Sequence, residues 1–280
     1  MVETLFHEIE YPSSRKFTFD MGKLAAGRHH VRALLEVDVT DAWDAILQSR
    51  RGGRKVSFTA WLLKVIADCV ATHRPVAGFN RPARNRVVVF EDVDISIMVE
   101  KEVDGTLVPL PYVVRGADQK TIFDIQDEIA AAKSQAVNEE SYVLGERDIP
   151  VWTKLFTRLP QGLRLLFFRI YLSDPRRVKA AMGNVMVTTV GMLGHTHGWI
   201  MPISIHPLCL ALGSLNEQAA VRRGQIEKRR ILHLMVLVDH DVIDGVPAAR
   251  FVDDLVQKME AGYGLQITTD RARSETAPDG

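Results

Sequence analysis

The chain has 280 residues, and its 35 Lys and Arg balance its 35 Asp and Glu, so the formal net charge is zero and the pI is about 7.1. That balance excludes the broad cationic field of a nucleic-acid binder or a polybasic membrane-surface protein. A hydrophobic share of 46% is enough to bury a sizeable core, which excludes a disordered chain.

Met1 to Asp20 carry no signal-peptide pattern, and no apolar run of about 18 residues reads as a membrane span, so a cytoplasmic location is expected. Cys69 and Cys209, both in apolar surroundings, read as reduced core residues, with a single buried disulfide left open. No linker divides the chain. It is expected to form one domain over 1–265 and a flexible polar tail over 266–280, although its length would also accommodate two domains.

Along the chain, Phe58, Trp61, Leu62, Val65, Ile66 and Cys69 make one apolar helical face that ends at His73-Arg74-Pro75. Arg86 to Phe90 and Val93 to Val99 are strand-like, the second alternating Val93, Ile95, Ile97 and Val99 with Asp94, Ser96 and Met98. Asp104-Gly105 supplies a hairpin turn. Thr121 caps a helix carrying Ile122, Ile125 and Ile129 on one face.

A helical insertion is expected over about 138–183. Its stretch 150–172 is apolar around most of the helical circumference, interrupted by Arg158, Arg164 and Arg169. Three uses are open for it: a helical hairpin covering an interface, a lid or pocket for a hydrophobic chain, or contact with a membrane surface.

Val185 to Val190, Ile200 to Leu212 and Ile231 to Val238 return to strand composition. His195, His197 and His206 raise a metal-site reading, but one H-x-H spacing far from either cysteine does not make a ligand set, and no metal is expected. Asp239, Asp241 and Asp244 make no recognised cation loop.

After Val238 comes Asp239-His240-Asp241-Val242-Ile243-Asp244-Gly245, followed by Val252, Leu255, Val256 and Met259 at helical spacing. His240 therefore emerges at a strand end, where an imidazole titrating near neutrality suits a general base. A plainer reading stays open, because Asp244-Gly245 with Pro247 behind it also makes an ordinary turn into a helix.

The stretch Asp239 to Phe251 resembles the signature of the dihydrolipoamide acyltransferases, the core enzymes of 2-oxo acid dehydrogenase complexes, whose fold chloramphenicol acetyltransferase shares. Glu36-Val37-Asp38-Val39-Thr40, Ser57-Phe58-Thr59-Ala60, Val93-Asp94-Ile95-Ser96-Ile97, Leu107-Val108-Pro109 and Val190-Gly191-Met192-Leu193-Gly194 are similar to the family in the same order.

The resemblance implies an α/β, chloramphenicol acetyltransferase-like two-layer sandwich, a mixed β-sheet with packed helices and an active site at a subunit interface. It implies acyl transfer between thiols, with coenzyme A as the acyl-carrying substrate and dihydrolipoamide or another acceptor. His240 would be the general base and Thr188 the oxyanion donor. Asp244 beside Gly245 would shape the site through an ion pair with Arg15, or with Lys16 as the alternative. Taken by itself, Thr188 is equally an ordinary β-branched strand residue.

The resemblance further implies a homotrimer in which hydroxyl and histidine come from different chains. Two departures stand out. No lipoyl or subunit-binding segment precedes the catalytic region, so a free-standing enzyme meeting a lipoylated carrier in trans is expected. Asp241 stands where the complex-forming enzymes usually carry arginine or a similar residue. The other functional class left open is a non-catalytic trimeric scaffold of the same fold.

Overall fold

The computed structural model describes residues 7–8, 14–51, 55–103, 106–135, 156, 158–189, 197–222 and 224–265. Helix α1 (Ser14–Ala25) leads into strand β1 (His30–Asp38), then α2 (Thr40–Arg51) and α3 (Phe58–Thr72). Strands β2 (Phe79–Arg81) and β3 (Arg86–Val88) pair as a small separate ribbon. Next come β4 (Ile95–Val103), β5 (Thr106–Val114) and α4 (Ile122–Ser134). Helices α5 (Gln161–Leu172) and α6 (Pro175–Met182) precede β6 (Val185–Thr188), β7 (Leu208–Arg222), β8 (Gln225–Asp239) and α7 (Gly245–Glu260).

One six-stranded sheet in the order β1-β8-β7-β6-β4-β5 organises the molecule. Strands β4, β6 and β7 run parallel to one another, while β4/β5, β7/β8 and β1/β8 are antiparallel. The sheet is therefore mixed and packs against a helical layer, a two-layer α/β sandwich as expected.

Helix α3 lies in the middle of that layer. Ser57 caps it by accepting the Ala60 amide, and Ala60, Leu63, Ala67 and Val70 are buried along with the anticipated apolar face. Contact with the sheet on one side and with α4 and α7 on the others takes the helix out of water nearly all round, so one stripe was too narrow an expectation. Trp61 and Phe251 are the largest fully buried side chains, each removing apolar area worth about 2–3 kcal/mol from water. Helix α4 starts at Thr121 with a reciprocal capping box to Asp124. At the end of α3, the Cys69 thiol and the His73 Nε2–H both donate to Asp254 on α7, at 3.4 and 3.1 Å.

Three strand expectations shift. The alternation at 93–99 suggested a half-exposed strand, yet Asp94 and Ser96 are as buried as their apolar neighbours. Strand β4 is flanked by β5 and β6, and Asp94 is neutralised by Lys179 of α6 at 2.7 Å and by Arg115 at 3.0 Å. The strand expected from Ile200 begins only at Leu208, because Pro202 and Pro207 lack ladder donors and Ser204 and His206 bond locally instead. Strand β3 stops at Val88 and does not reach Phe90.

Of the expected insertion, α5 and α6 are described, whereas 136–155, the turn at Asp104-Gly105, most of the first 13 residues and the tail 266–280 lie outside the described residues. Helix α5 is not enclosed. Arg164 is buried against Asp20 of α1, while Leu163, Leu166, Phe167 and Ile170 form an outward stripe at i, i+3, i+4 and i+7 spacing. Among the described residues, no helix is long and apolar enough to cross a membrane. Cys69 and Cys209 are buried and not bonded to each other.

Candidate active site

Strand β8 ends at Asp239, and the chain then turns through Asp241 and Val242 into α7. The Val242 and Ile243 amides donate to the Asp239 carbonyl at 3.0 and 3.3 Å, closing that turn. Asp239 is fully buried. Its carboxylate accepts from Arg28 Nη1 at 2.8 Å and from the Asp241 amide at 3.1 Å. The His240 amide donates to the His29 carbonyl at 3.0 Å, and His29 Nδ1–H lies 3.0 Å from both oxygens of Asp241. His240 itself projects outward. Among the described residues its imidazole has no hydrogen-bond partner.

Asp244 occupies the N-cap position of α7 with extended backbone, yet its side chain makes no capping bond and is exposed. The plainer reading of Asp244 as a helix cap is therefore only half right: the position is a cap, and the carboxylate is left for another partner. That partner is not Arg15 within one chain. Arg15 lies exposed on α1, and no ion pair forms between it and Asp244. Gly245 is the first residue of α7 and faces open space.

Thr188 is the last residue of β6 and is buried, and its hydroxyl has no hydrogen-bond partner among the described residues. The turn that starts β6 is tightly made. Gly183 has φ +73°, and the Asn184 amide bonds the Asp94 carbonyl at 3.0 Å while the Asp94 amide returns to Asn184 Oδ1 at 2.8 Å. Residues 190–196, including Gly191 and His195, lie outside the described residues.

Sheet register separates the two candidate groups. Thr188 pairs with Ala211 and Ala211 with Met235, whereas His240 lies five residues beyond Met235, just past the end of β8. At ~3.3 Å per residue and ~4.8 Å per strand, they are on the order of 16 Å apart along the strands and 10 Å across them. One protomer does not bring them together.

His206 is a core histidine. Its Nε2–H donates to the Met182 carbonyl at 2.9 Å, and its Nδ1 faces the Ser204 hydroxyl at 3.3 Å. Burial pushes its pKa down to about 4, against the opposing effect of the Met182 bond. With both ring nitrogens engaged, it offers no lone pair to a metal. Cys69, His73 and Asp254 do converge, with one donor atom each within 4.8 Å of the others. Burial pushes the Cys69 thiol well up, however, and the Lys258 ammonium already lies 2.6 Å from Asp254, so the trio reads as a hydrogen-bonded staple between α3 and α7.

Sequence reasoning passed over Arg28, His29 and the carboxylate of Asp239. The one available hint was the run Arg28-His29-His30 at the start of β1, since 211 residues separate Arg28 from Asp239.

The family model for 2-oxoacid dehydrogenases acyltransferase (catalytic domain) matches residues 10–142 and 178–265, leaving α5 in the unmatched interval. The chain is 25% identical over 215 residues to the dihydrolipoyllysine-residue acetyltransferase component of the Mycoplasma pneumoniae pyruvate dehydrogenase complex, covering 76% of this chain and 44% of that protein. Its identity to the Bacillus subtilis component is 26% over 255 residues, covering 86% of this chain and 49% of that protein. The chain thus spans about half the length of these relatives. The cubic core of the pyruvate dehydrogenase multienzyme complex has a similar fold, with TM-score 0.64 and 19% identity over 93% of this chain and 94% of that one. With the family model covering most of its length, the chain belongs to the acyltransferase catalytic-domain family of the 2-oxoacid dehydrogenases.

Proposed function

We propose that this chain moves an acyl group between coenzyme A and a second thiol of the dihydrolipoamide type, from sites shared between the protomers of a homotrimer. His240 removes the acceptor thiol's proton as sulfur attacks the thioester carbonyl carbon. A free thiol near pKa 8.5 is mostly protonated at neutral pH, so such a base is worth about 10²- to 10⁴-fold. The Thr188 hydroxyl donates to the oxyanion that forms. On collapse the carbon–sulfur bond to the first thiol breaks, and that sulfur takes the proton back from the imidazolium. No redox step is needed.

The observation that carries this reading is the separation of two uncommitted groups. The exposed imidazole of His240 and the hydroxyl of Thr188, unpaired among the described residues, suit one reaction, but their register in a single chain holds them far apart. A second copy that lays its Thr188 end against the His240 turn completes the site. The same packing gives the uncapped Asp244 carboxylate a partner from a neighbour's α1, where Arg15 and Lys16 lie. A lipoylated carrier protein is the natural macromolecular acceptor, and the cytoplasm the natural setting, for this thiol chemistry.

The test is subunit complementation. His240→Ala and Thr188→Ala should each form trimers with little acyl transfer, Thr188→Ala losing on the order of 10²- to 10³-fold in kcat, while Thr188→Ser keeps most activity. Mixed trimers of the two inactive variants should regain transfer from acetyl-coenzyme A to dihydrolipoamide. No recovery despite demonstrated subunit exchange rejects the shared site, and retained turnover in His240→Ala removes the base.

A further inference from the structure

The backbone on either side of His240 is held by a segment that precedes β1. Arg28 grips the Asp239 carboxylate at 2.8 Å, the His240 amide bonds the His29 carbonyl at 3.0 Å, and His29 Nδ1–H meets the Asp241 carboxylate at 3.0 Å. Three successive residues of the turn are thus tied to two successive residues of the other segment. Asp239 is the hub, since its second oxygen also accepts the Asp241 amide at 3.1 Å and so folds the turn around His240.

The Asp239 side chain is wholly buried, and Arg28 is its one cationic partner among the described residues. A buried carboxylate left without a counter-charge is strongly disfavoured, so losing Arg28 forces Asp239 to reorient toward water or to take up a proton. Either response loosens the Asp241 amide and with it the peptide that carries the imidazole. Among the described residues His240 has no side-chain bond of its own to correct such a drift. Its aim is set by its backbone.

We infer that Arg28, acting through Asp239, is a positioning residue for the His240 imidazole. The inference rests on the proposed role of His240 as base. Arg28 touches no reacting atom. Its guanidinium holds a carboxylate, the carboxylate holds a turn, and the turn aims the ring. Displacing a reacting group by about 1 Å can cost on the order of 10²-fold in rate, which sets the scale expected.

The test compares Arg28→Gln, Arg28→Lys, Asp239→Asn and His240→Ala in the full chain, with acetyl-coenzyme A and dihydrolipoamide as substrates. Arg28→Gln should lower kcat about 10- to 100-fold with KM within twofold, and Arg28→Lys, which keeps the charge and one bond, should recover part of that loss. Asp239→Asn should resemble Arg28→Gln. In the His240→Ala background Arg28→Gln should remove nothing further, because there is no ring left to aim. The NMR signal of the His240 ring, identified by its absence in His240→Ala, should move or broaden in Arg28→Gln. A kcat within twofold of wild type, an effect on KM alone, or equal proportional losses with and without His240 would overturn the inference. Where Arg28→Gln does not assemble, Arg28→Lys decides, with a several-fold loss in kcat expected and wild-type kcat overturning it. Should His240→Ala keep its turnover, the base assignment fails, an outcome distinct from a failure at Arg28 alone.

Discussion

Asp20 of α1 and Arg164 of α5, 144 residues apart, form a buried two-pronged ion pair in which Arg164 Nε and Nη2 donate to the two carboxylate oxygens at 2.7 and 3.1 Å. Arg164 also donates to the Leu159 carbonyl at 2.6 Å, and Gln161 donates to Asp20 at 3.1 Å. The pair explains how a helix with an apolar outer stripe stays docked: its inward arginine meets a buried carboxylate. Arg164→Met strands Asp20 in the interior and should cost about 3–5 kcal/mol, read as a lowered urea midpoint. The double variant with Asp20→Leu should recover much of that loss, because no buried charge is then left unpaired.

The stripe itself makes a separate prediction. Leu166 and Ile170 are 54% and 60% exposed, so Leu166→Gln with Ile170→Gln should leave the urea midpoint within about 0.5 kcal/mol of wild type. If α5 gives an acyl chain its grip, the same variant should lose activity with long-chain acyl-coenzyme A much more than with acetyl-coenzyme A, since each buried methylene is worth about 0.8 kcal/mol. Equal loss across chain lengths excludes a pocket role, and loss of the trimer assigns the stripe to assembly.

Gly183, at the entry to β6, has φ +73°, and a Cβ there would lie 2.5 Å from the Asp94 carbonyl oxygen. Backbone cannot yield as a flexible side chain can. Gly183→Ala should therefore destabilise by about 2 kcal/mol or more and shift the strand that presents Thr188. Thermal melting and kcat should fall together, whereas Gly162→Ala, with open space around its Cβ position in α5, should lower neither.

His206 links stability to pH. Burial holds its folded pKa at about 4, below the 6.5 of an unfolded histidine, so the unfolded chain binds a proton that the folded one refuses. The stability contributed by keeping this ring neutral is fully present above pH 6.5 and drains away as pH falls toward 4, amounting to about 2 kcal/mol by pH 5. Urea titrations at pH 7.5 and 5 should display that loss, and His206→Gln should flatten it. An unchanged slope in the variant would assign the acid sensitivity to other groups. Asp38 acts lower on the scale. Burial pushes its carboxyl up, but bonds from Thr40, Arg229 and Arg222 outweigh that and hold it at about 2, so its contribution is lost only below about pH 4.

Local chemistry made much of this protein legible in its sequence. Thr121 announces its helix because a cap bonds within three residues, and the face of α7 that carries Leu255 and Met259 follows from helical periodicity alone. The turn at His240 is readable for the same reason, lying between an apolar run and an amphipathic one. What only the tertiary structure decided are the relationships between distant segments. Asp94 and Ser96 look solvent-facing until β4 is flanked by β5 and β6 and Asp94 meets Lys179, and Arg28 looks like a surface charge until β1 is laid beside β8. The hydroxyl of Thr188 and the ring of His240 have no relative position that spacing alone can give, and the register sets them at different levels of the sheet. Periodicity reports which way a side chain faces, whereas strand order and register fix which side chains meet, and those depend on pairings between residues too far apart in sequence for any local pattern to record.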